Sequence, residues 1–242
     1  MTKPVRVVGV LGGMGPAATI DFAAKVLRHS QAARGPGSVE QDDVRLLIDS
    51  NPAVPDRNAA VAGSGPSPGP MLADMARGLV RIGADFLVMP CNAAHAFADD
   101  IRAAAPIPFV SLIDEAAAAV LATGACQVGI LAVAATAQAR LYERALEPLG
   151  IACVVPSGAL RERFMDAVWR IKRGDTGEAA GAAMRAVAEA LLEEGAELIV
   201  AACTEVPLVL APGDLPVAML DTTDILARRT VDYARGERLP GA

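Results

Sequence analysis

The 242-residue chain is poor in aromatic surface and carries no excess of positive charge: aromatics are 3% of it, tryptophan occurs once, and the formal net charge is −6. A basic field that would hold phosphodiesters and the rings on which bases stack are both missing, so nucleic acid is not an expected partner. No uninterrupted run of about 18 apolar residues occurs, which removes the expectation of a membrane-spanning helix. The opening MTKPVRV lacks the apolar core of a signal peptide. These absences predict a soluble cytoplasmic protein with no membrane partner. Cysteine is scarce as well. Cys91, Cys126, Cys153 and Cys203 show no CxxC spacing, so neither a zinc ribbon nor a thioredoxin-like motif is written, and free thiols are the default. A buried cysteine is ordinarily a small hydrophobe, and any chemistry assigned to one must come from its neighbours.

Short β-branched runs alternate with longer alanine-rich segments of helical period, the pattern of a parallel sheet covered by helices. Strands are expected at Val5–Leu11, Val44–Asp49, Phe86–Pro90, Phe109–Leu112, Val128–Val133, Ile151–Val155, Leu198–Ala202 and Val217–Leu220. Helices are expected at Ala17–Ala33, Met71–Ile82, Ala94–Ala104, Glu115–Ala122, Ala137–Leu149, Leu160–Lys172, Glu178–Glu194 and Asp224–Ala234. AGSGPSPGP, Ala62–Pro70, is too rich in Gly, Pro and Ser for either state and is expected to be a mobile loop of the kind that covers sites.

The length allows one large core or two lobes of roughly 110 residues, and an internal repeat decides for two. GADFLVMPCN, Gly83–Asn92, returns as GAELIVAACT, Gly195–Thr204; VVGVLGG at Val7 returns as QVGILAV at Gln127; IPFVSLIDE at Ile107 returns as LPVAMLDTTD at Leu215. The offsets are 112, 120 and 108 residues, as expected of a duplication followed by insertions and deletions. The predicted fold is α/β with two pseudo-symmetric lobes, each a mostly parallel four-stranded sheet flanked by helices. The first lobe spans 1–115, with 225–242 packing back on it, and the second spans 116–224. In open α/β sheets ligands bind beyond the carboxyl ends of the strands, so Cys91 and Cys203, each directly after a strand, are expected on opposite walls of one cleft. A following helix or turn would favour thiolate there.

Two facing thiols suit a particular chemistry. Inverting a stereocentre through a carbanion requires a base on one face and an acid on the other, and a thiolate opposite a thiol supplies both. No lysine in a pyridoxal-type setting is recognisable, so protein donors would have to stabilise the carbanion. Asn92 and Thr204, next to the cysteines, are candidates to hold a carboxylate.

VGVLGGMGPAAT at Val8–Thr19, SNPAVPDR at Ser50–Arg57, GADFLVMPCNAAH at Gly83–His95, IKRG at Ile171–Gly174 and AACTEVP at Ala201–Pro207 together resemble the aspartate/glutamate racemase family, specifically its aspartate-racemase-like branch. The resemblance implies a pyridoxal-independent racemase of two similar α/β lobes, often dimeric, so a homodimer acting on a small amino acid without cofactor or metal is expected. It implies Cys91 and Cys203 as the catalytic pair, with Met14, Arg57, Asn92, Ala93, Lys172, Thr204 and Glu205 at the substrate. Arg57 could grip a carboxylate bidentately, and Lys172 could bind a distal carboxylate or lower a thiol pKa. A gapless placement would select Arg173 instead of Lys172. Glu205 could orient the Cys203 loop. Ala93 departs from the family's usual CNT, which removes a hydroxyl from the carboxylate cradle and puts the substrate's side chain in question.

Gly13-Met14-Gly15-Pro16-Ala17-Ala18 formally fits a dinucleotide fingerprint, but no acidic residue follows about 20 positions later to hold a ribose; a tight glycine turn lining the cleft is the better reading. His95 could join Cys91 and Cys203 on a metal, although a satisfied polar residue beside the cleft is simpler. The competing functions are a related isomerase or decarboxylase of a carboxylic acid and a non-catalytic amino-acid-binding module.

Overall fold

Continuous apolar runs become central strands when both faces are covered, and the chain uses such runs twice. The computed structural model describes residues 5–35, 37–211 and 213–240; the outer ends of the first-lobe assignment, 1–4 and 241–242, lie outside them. β1 (Val8–Gly12), β2 (Leu46–Ser50), β3 (Phe86–Val88) and β4 (Phe109–Val110) form one parallel sheet in the order β2-β1-β3-β4. A second parallel sheet contains β5 (Gln127–Ile130), β6 (Ala152–Val154), β7 (Leu198–Ala201) and β8 (Met219–Asp221) in the order β6-β5-β7-β8. The helices are α1 (Pro16–Ala32), α2 (Arg57–Val61), α3 (Gly69–Arg81), α4 (Ala98–Ala104), α5 (Leu112–Thr123), α6 (Ala134–Gln138), α7 (Leu141–Leu146), α8 (Gly158–Lys172), α9 (Glu178–Glu193) and α10 (Thr222–Ala234).

The repeat is physical as well as textual. Gly9 faces Leu87 in the first sheet as Gly129 faces Ile199 in the second. A Cβ at Gly9 would lie 2.7 Å from Leu87 and 2.9 Å from Ala84; at Gly129 it would lie 2.7 Å from Ile199 and 3.2 Å from Ala196. The same close approach of helix to strand therefore demands glycine at both positions. The third match needs a correction. Leu87 pairs with Phe109 and Ile199 with Met219, so the strands before α5 and α10 are related by 110 residues, and the textual echo at 108 is out of register by two.

The two sheets share an inner core. Phe22 and Val26 of α1, Ala116 and Val120 of α5, Tyr142 and Leu146 of α7, and Leu226 and Val231 of α10 pack with β1, β3, β5 and β7 in one cluster. Connectivity crosses here: α10, following β8, packs on α1, while α5, following β4, packs on α7. Separate outer clusters lie under α3 and α4, including Cys91, and under α8 and α9, including Cys203. The two motif cysteines thus sit at the edges of different cores.

Three local expectations change. The helix expected over Ala137–Leu149 is broken at Arg140, which adopts left-handed backbone (φ 53°) between α6 and α7. The helix expected from Ala94 begins as a 3₁₀ segment, Ala93–Phe97, before α4. Within Ala62–Pro70, Gly69 and Pro70 already belong to α3, where a proline fits the first turn; Gly63, Ser64 and Gly65 fold back on Ala59 and Ala60 through main-chain bonds.

Candidate active site

The loops beyond β1, β3 and β7 meet at one cleft. After β1, Gly13 has φ +91°, and a Cβ there would come within 2.4 Å of the Asn51 main chain. Only glycine fits, and its N–H donates to Thr19 Oγ1 at 2.8 Å. The turn carries Gly15 to the second sheet's side, where a Cβ would lie 3.7 Å from Glu205 Oε1 and 4.0 Å from Lys172 Nζ. The glycine turn therefore faces an ion pair across the cleft.

All nine residues singled out from sequence, Cys91 and Cys203 together with Met14, Arg57, Asn92, Ala93, Lys172, Thr204 and Glu205, line this one cavity, which holds about 490 Å³ of empty space with its mouth included. Lys172 ends α8 with its ammonium 2.6 Å from Glu205 Oε1, whereas Arg173 is exposed beyond the helix and absent from the lining. Arg57 opens α2 behind the Asp56 cap, and its Nη1 donates to the carbonyls of Val54 and Pro55. Residues 62–70 contribute nothing to the lining.

Both thiols are buried, Cys91 at 5% exposure and Cys203 at 4%. The Cys203 Sγ donates to Glu205 Oε2 at 3.0 Å, and Thr204 Oγ1 donates to the same oxygen at 3.2 Å. Burial pushes the Cys203 thiol well above its ordinary value and Glu205 adds to this, with the Lys172 ammonium pulling the other way. The expectation of thiolate favoured by a following helix is thus overturned at Cys203. The segments that directly follow the cysteines are 3₁₀, Ala93–Phe97 and Val206–Leu208, and on the Cys91 side α4 begins only at Ala98, beyond the first turn over which a helix dipole acts. At Lys172 burial acts to lower the pKa, but Glu205, Cys203 and Cys91 outweigh it and leave it raised. Its ammonium is therefore felt by both thiols.

Asn92 is held from behind. Tyr142 OH donates to its Oδ1 at 2.5 Å and its Nδ2 donates to Thr222 Oγ1 at 3.3 Å. Among the described residues no intramolecular acceptor meets the main-chain N–H of Asn92 or of Thr204, and both residues line the cavity. His95 is a strut with both ring nitrogens engaged: Leu112 N–H donates to its Nε2 at 3.0 Å, which leaves the Nδ1 proton for the Cys91 carbonyl at 2.8 Å. Burial holds its pKa down to about 4.

Sequence reading missed Asn58, whose Oδ1 accepts from Ala135 N–H at 2.9 Å and ties α2 to α6, although it directly follows the PDR motif. It also missed Val133 and Trp169 in the lining and Tyr142 and Thr222 behind Asn92. Nothing local marks those four, since each reads as an ordinary apolar or capping residue.

Among solved structures, the chain is similar to the aspartate racemase of Picrophilus torridus, at 27% identity and a TM-score of 0.85 over 97% of this chain and 96% of that one. It is also similar to an aspartate racemase homologue from Pyrococcus horikoshii OT3, at 26% identity and a TM-score of 0.77 over 95% and 99%. The broad specificity amino-acid racemase RacX of Bacillus subtilis (strain 168) is 25% identical over 224 residues, 93% of this chain and 96% of that protein. The family model for Asp/Glu/hydantoin racemases matches residues 11–230, spanning both sheets and both cysteine loops, and the chain belongs to that family of isomerases.

Proposed function

We propose that this racemase interconverts the enantiomers of an acidic amino acid, aspartate or glutamate, by proton transfer between Cys91 and Cys203, without a cofactor. The observation that carries the reading is that two equivalent strand ends, from two equivalent sheets, deliver one thiol each to a single cavity. We take the lobes as 1–115 with 225–242, and 116–224; the packing of α10 on α1 supports that division.

In one turnover the thiolate of one cysteine takes the Cα proton and becomes a thiol. The electron pair left on Cα delocalises into the α-carboxylate. The opposite thiol then gives its proton to the other face and becomes the thiolate. Charge and protons balance, and the reverse reaction swaps the roles. The main-chain N–H groups of Asn92 and Thr204 are the donors proposed for the carboxylate as its charge grows. Arg57, with a planar fork, would take the side-chain carboxylate. Lys172, near both thiols, would offset the negative charge that alternates between them.

A wider substrate range is the second reading. Met14, Ala93, Val133 and Trp169 give the cavity an apolar wall, Lys172 is already paired with Glu205, and one relative is named for broad specificity. Among the described residues no helix is long and apolar enough to cross a membrane; a homodimer is part of the proposal on the strength of the family resemblance, and a cytoplasmic location on the sequence reading.

The test is chiral chromatography of a panel of single-enantiomer amino acids incubated with the dialysed protein. Aspartate or glutamate should racemise fastest without additions. Turnover confined to uncharged side chains would shift the assignment to the second reading, and activity restored only by pyridoxal phosphate, a nucleotide or a metal would sink the cofactor-independent mechanism.

A further inference from the structure

Asn92 stands in the first half of the chain beside Cys91, yet its side chain is held entirely by the second half. Tyr142, on α7, donates its hydroxyl to Asn92 Oδ1 at 2.5 Å; Asn92 Nδ2 donates to Thr222 Oγ1 at 3.3 Å; Thr222 donates its own proton to the Ala201 carbonyl at 2.8 Å. Tyr142, Asn92 and Thr222 are all buried, at 1, 3 and 0% exposure. The chain of bonds runs from α7, through the Cys91 loop, to the end of β7, two residues before Cys203.

Its direction is fixed. Because the single Thr222 proton is committed to Ala201, Thr222 can only accept from Asn92, and the amide must turn its nitrogen that way and its oxygen toward Tyr142. Burial pushes the Tyr142 phenol upward, so it stays a donor. Thr222 is itself anchored: the adjacent Asp221 caps α10 through Thr223 N and Asp224 N and pairs with buried Lys25 of α1 at 2.6 Å. The repeat offers no counterpart. By the strand registers the equivalents of Thr222 and Asn92 are Leu112 and Thr204, and Thr204 bonds instead to Glu205. Leu112 has no side-chain hydrogen-bonding group, so this polar bridge belongs to one side only.

We propose that Tyr142 and Thr222 are positioning residues for the racemase reaction, locking the Asn92 amide so that its second Nδ2 proton serves the substrate carboxylate and the Cys91 loop keeps its register against the strand that ends in Cys203. The inference rests on the reading given under Proposed function.

The experiment compares Tyr142→Phe, Thr222→Val and Thr222→Ser, each checked by thermal unfolding, in steady-state kinetics and in ¹⁵N NMR of the Asn92 side-chain amide, assigned by its loss in Asn92→Asp. Tyr142→Phe and Thr222→Val should lower kcat about tenfold to a hundredfold in both directions, as expected of a misplaced donor, with KM changed less than threefold. Thr222→Ser, which keeps the hydroxyl, should stay within about threefold of wild type. The amide protons should be well separated and slow to exchange in the wild type, and faster in Tyr142→Phe. A folded Tyr142→Phe with wild-type kcat overturns the inference. A wild type that racemises nothing sinks the catalytic reading; the amide signal, which needs no turnover, separates that failure from this one, because an Asn92 amide that exchanges like an exposed one overturns the locked geometry on its own.

Discussion

The two thiols occupy equivalent places on equivalent sheets and have been given different surroundings. Beside Cys91 lie neutral groups held by hydrogen bonds, Asn92 under Tyr142 and Thr222, and His95 spanning the Cys91 carbonyl and Leu112 N–H. Beside Cys203 lies an ion pair, Glu205 with Lys172, and the thiol donates into it. Duplication supplies two thiols about an approximate twofold, but the proposed two-base cycle needs one of them protonated and the other not. The difference in surroundings bears on that tie at Cys203, which burial and Glu205 push toward the thiol while Lys172 pulls the other way.

The largest effect that could break this comparison comes from removing either sulfur. Cys91→Ala and Cys203→Ala should each lower racemisation by at least about a thousandfold, the scale expected when an essential acid–base group is lost. The remaining thiol should still exchange the Cα proton of one enantiomer with deuterated water on its own face. The two variants should prefer opposite enantiomers, followed as loss of the Cα–H signal by NMR. Appreciable racemisation by either variant, or the same preference in both, defeats the assignment of one face to each lobe.

Much of this site was legible because local sequence carried it. The repeat put Cys91 and Cys203 after equivalent strands and so on one cleft, and the resemblance of short motifs to the racemase family placed the other seven residues beside them before any coordinates. What stayed hidden depends on partners far along the chain. Tyr142 reads as a core residue on an alanine-rich helix, and only its contact with Asn92, 50 residues away, reveals the hydroxyl's use. The break at Arg140 was hidden for the converse reason, since no glycine or proline lies between Ala137 and Glu147 and tertiary packing overrides local propensity there. The rise of the Cys203 pKa could not be read either, because it follows from burial and from a carboxylate whose distance is set by the turn.

The Glu205–Lys172 pair offers a sharper and smaller test, since its members push Cys203 in opposite directions. Glu205→Gln should lower the pH at which Cys203 ionises, because the carboxylate that accepts its proton is gone and the ammonium remains. Lys172→Met should raise it. Iodoacetamide alkylation of Cys203 against pH, in a Cys91→Ala background with peptide mapping to exclude Cys126 and Cys153, reads the midpoint. Shifts of the same sign in both variants would show that the pair does not set the asymmetry.

His95 distinguishes the halves in stability. Its equivalent 112 residues on is Pro207, so the neutral strut exists only on the Cys91 side. Its pKa is about 4 in the folded state against the ordinary 6.5, and between those values the unfolded chain binds more protons. The contribution is therefore complete above about pH 6.5 and is lost as pH falls toward 4, on the order of 3 kcal/mol in all. Urea unfolding of wild type and His95→Gln at pH 7 and pH 4 isolates it from the carboxylates common to both. Equal loss in the two proteins would mean that His95 is not held neutral.

The smallest expected effect concerns Ala93, which lies in the position equivalent to Glu205 and lines the cavity at 7% exposure. A threonine there would add a hydroxyl donor next to Asn92 and the Cys91 loop, where the family pattern has one and this chain does not. One added hydrogen bond to a developing carboxylate charge is worth about 1 kcal/mol, or roughly fivefold in kcat/KM. The extra methyl must enter a buried edge, and overpacking would cost as much or more. Ala93→Ser separates the two because it brings the hydroxyl without the methyl. If the neutral Cys91 side is short of donors, Ala93→Ser should raise kcat/KM for aspartate or glutamate by about fivefold, and Ala93→Thr should gain no more than that. If Ala93→Ser changes nothing while Ala93→Thr loses activity, the Asn92 amide and the two main-chain N–H groups already suffice, and the alanine is there to leave room.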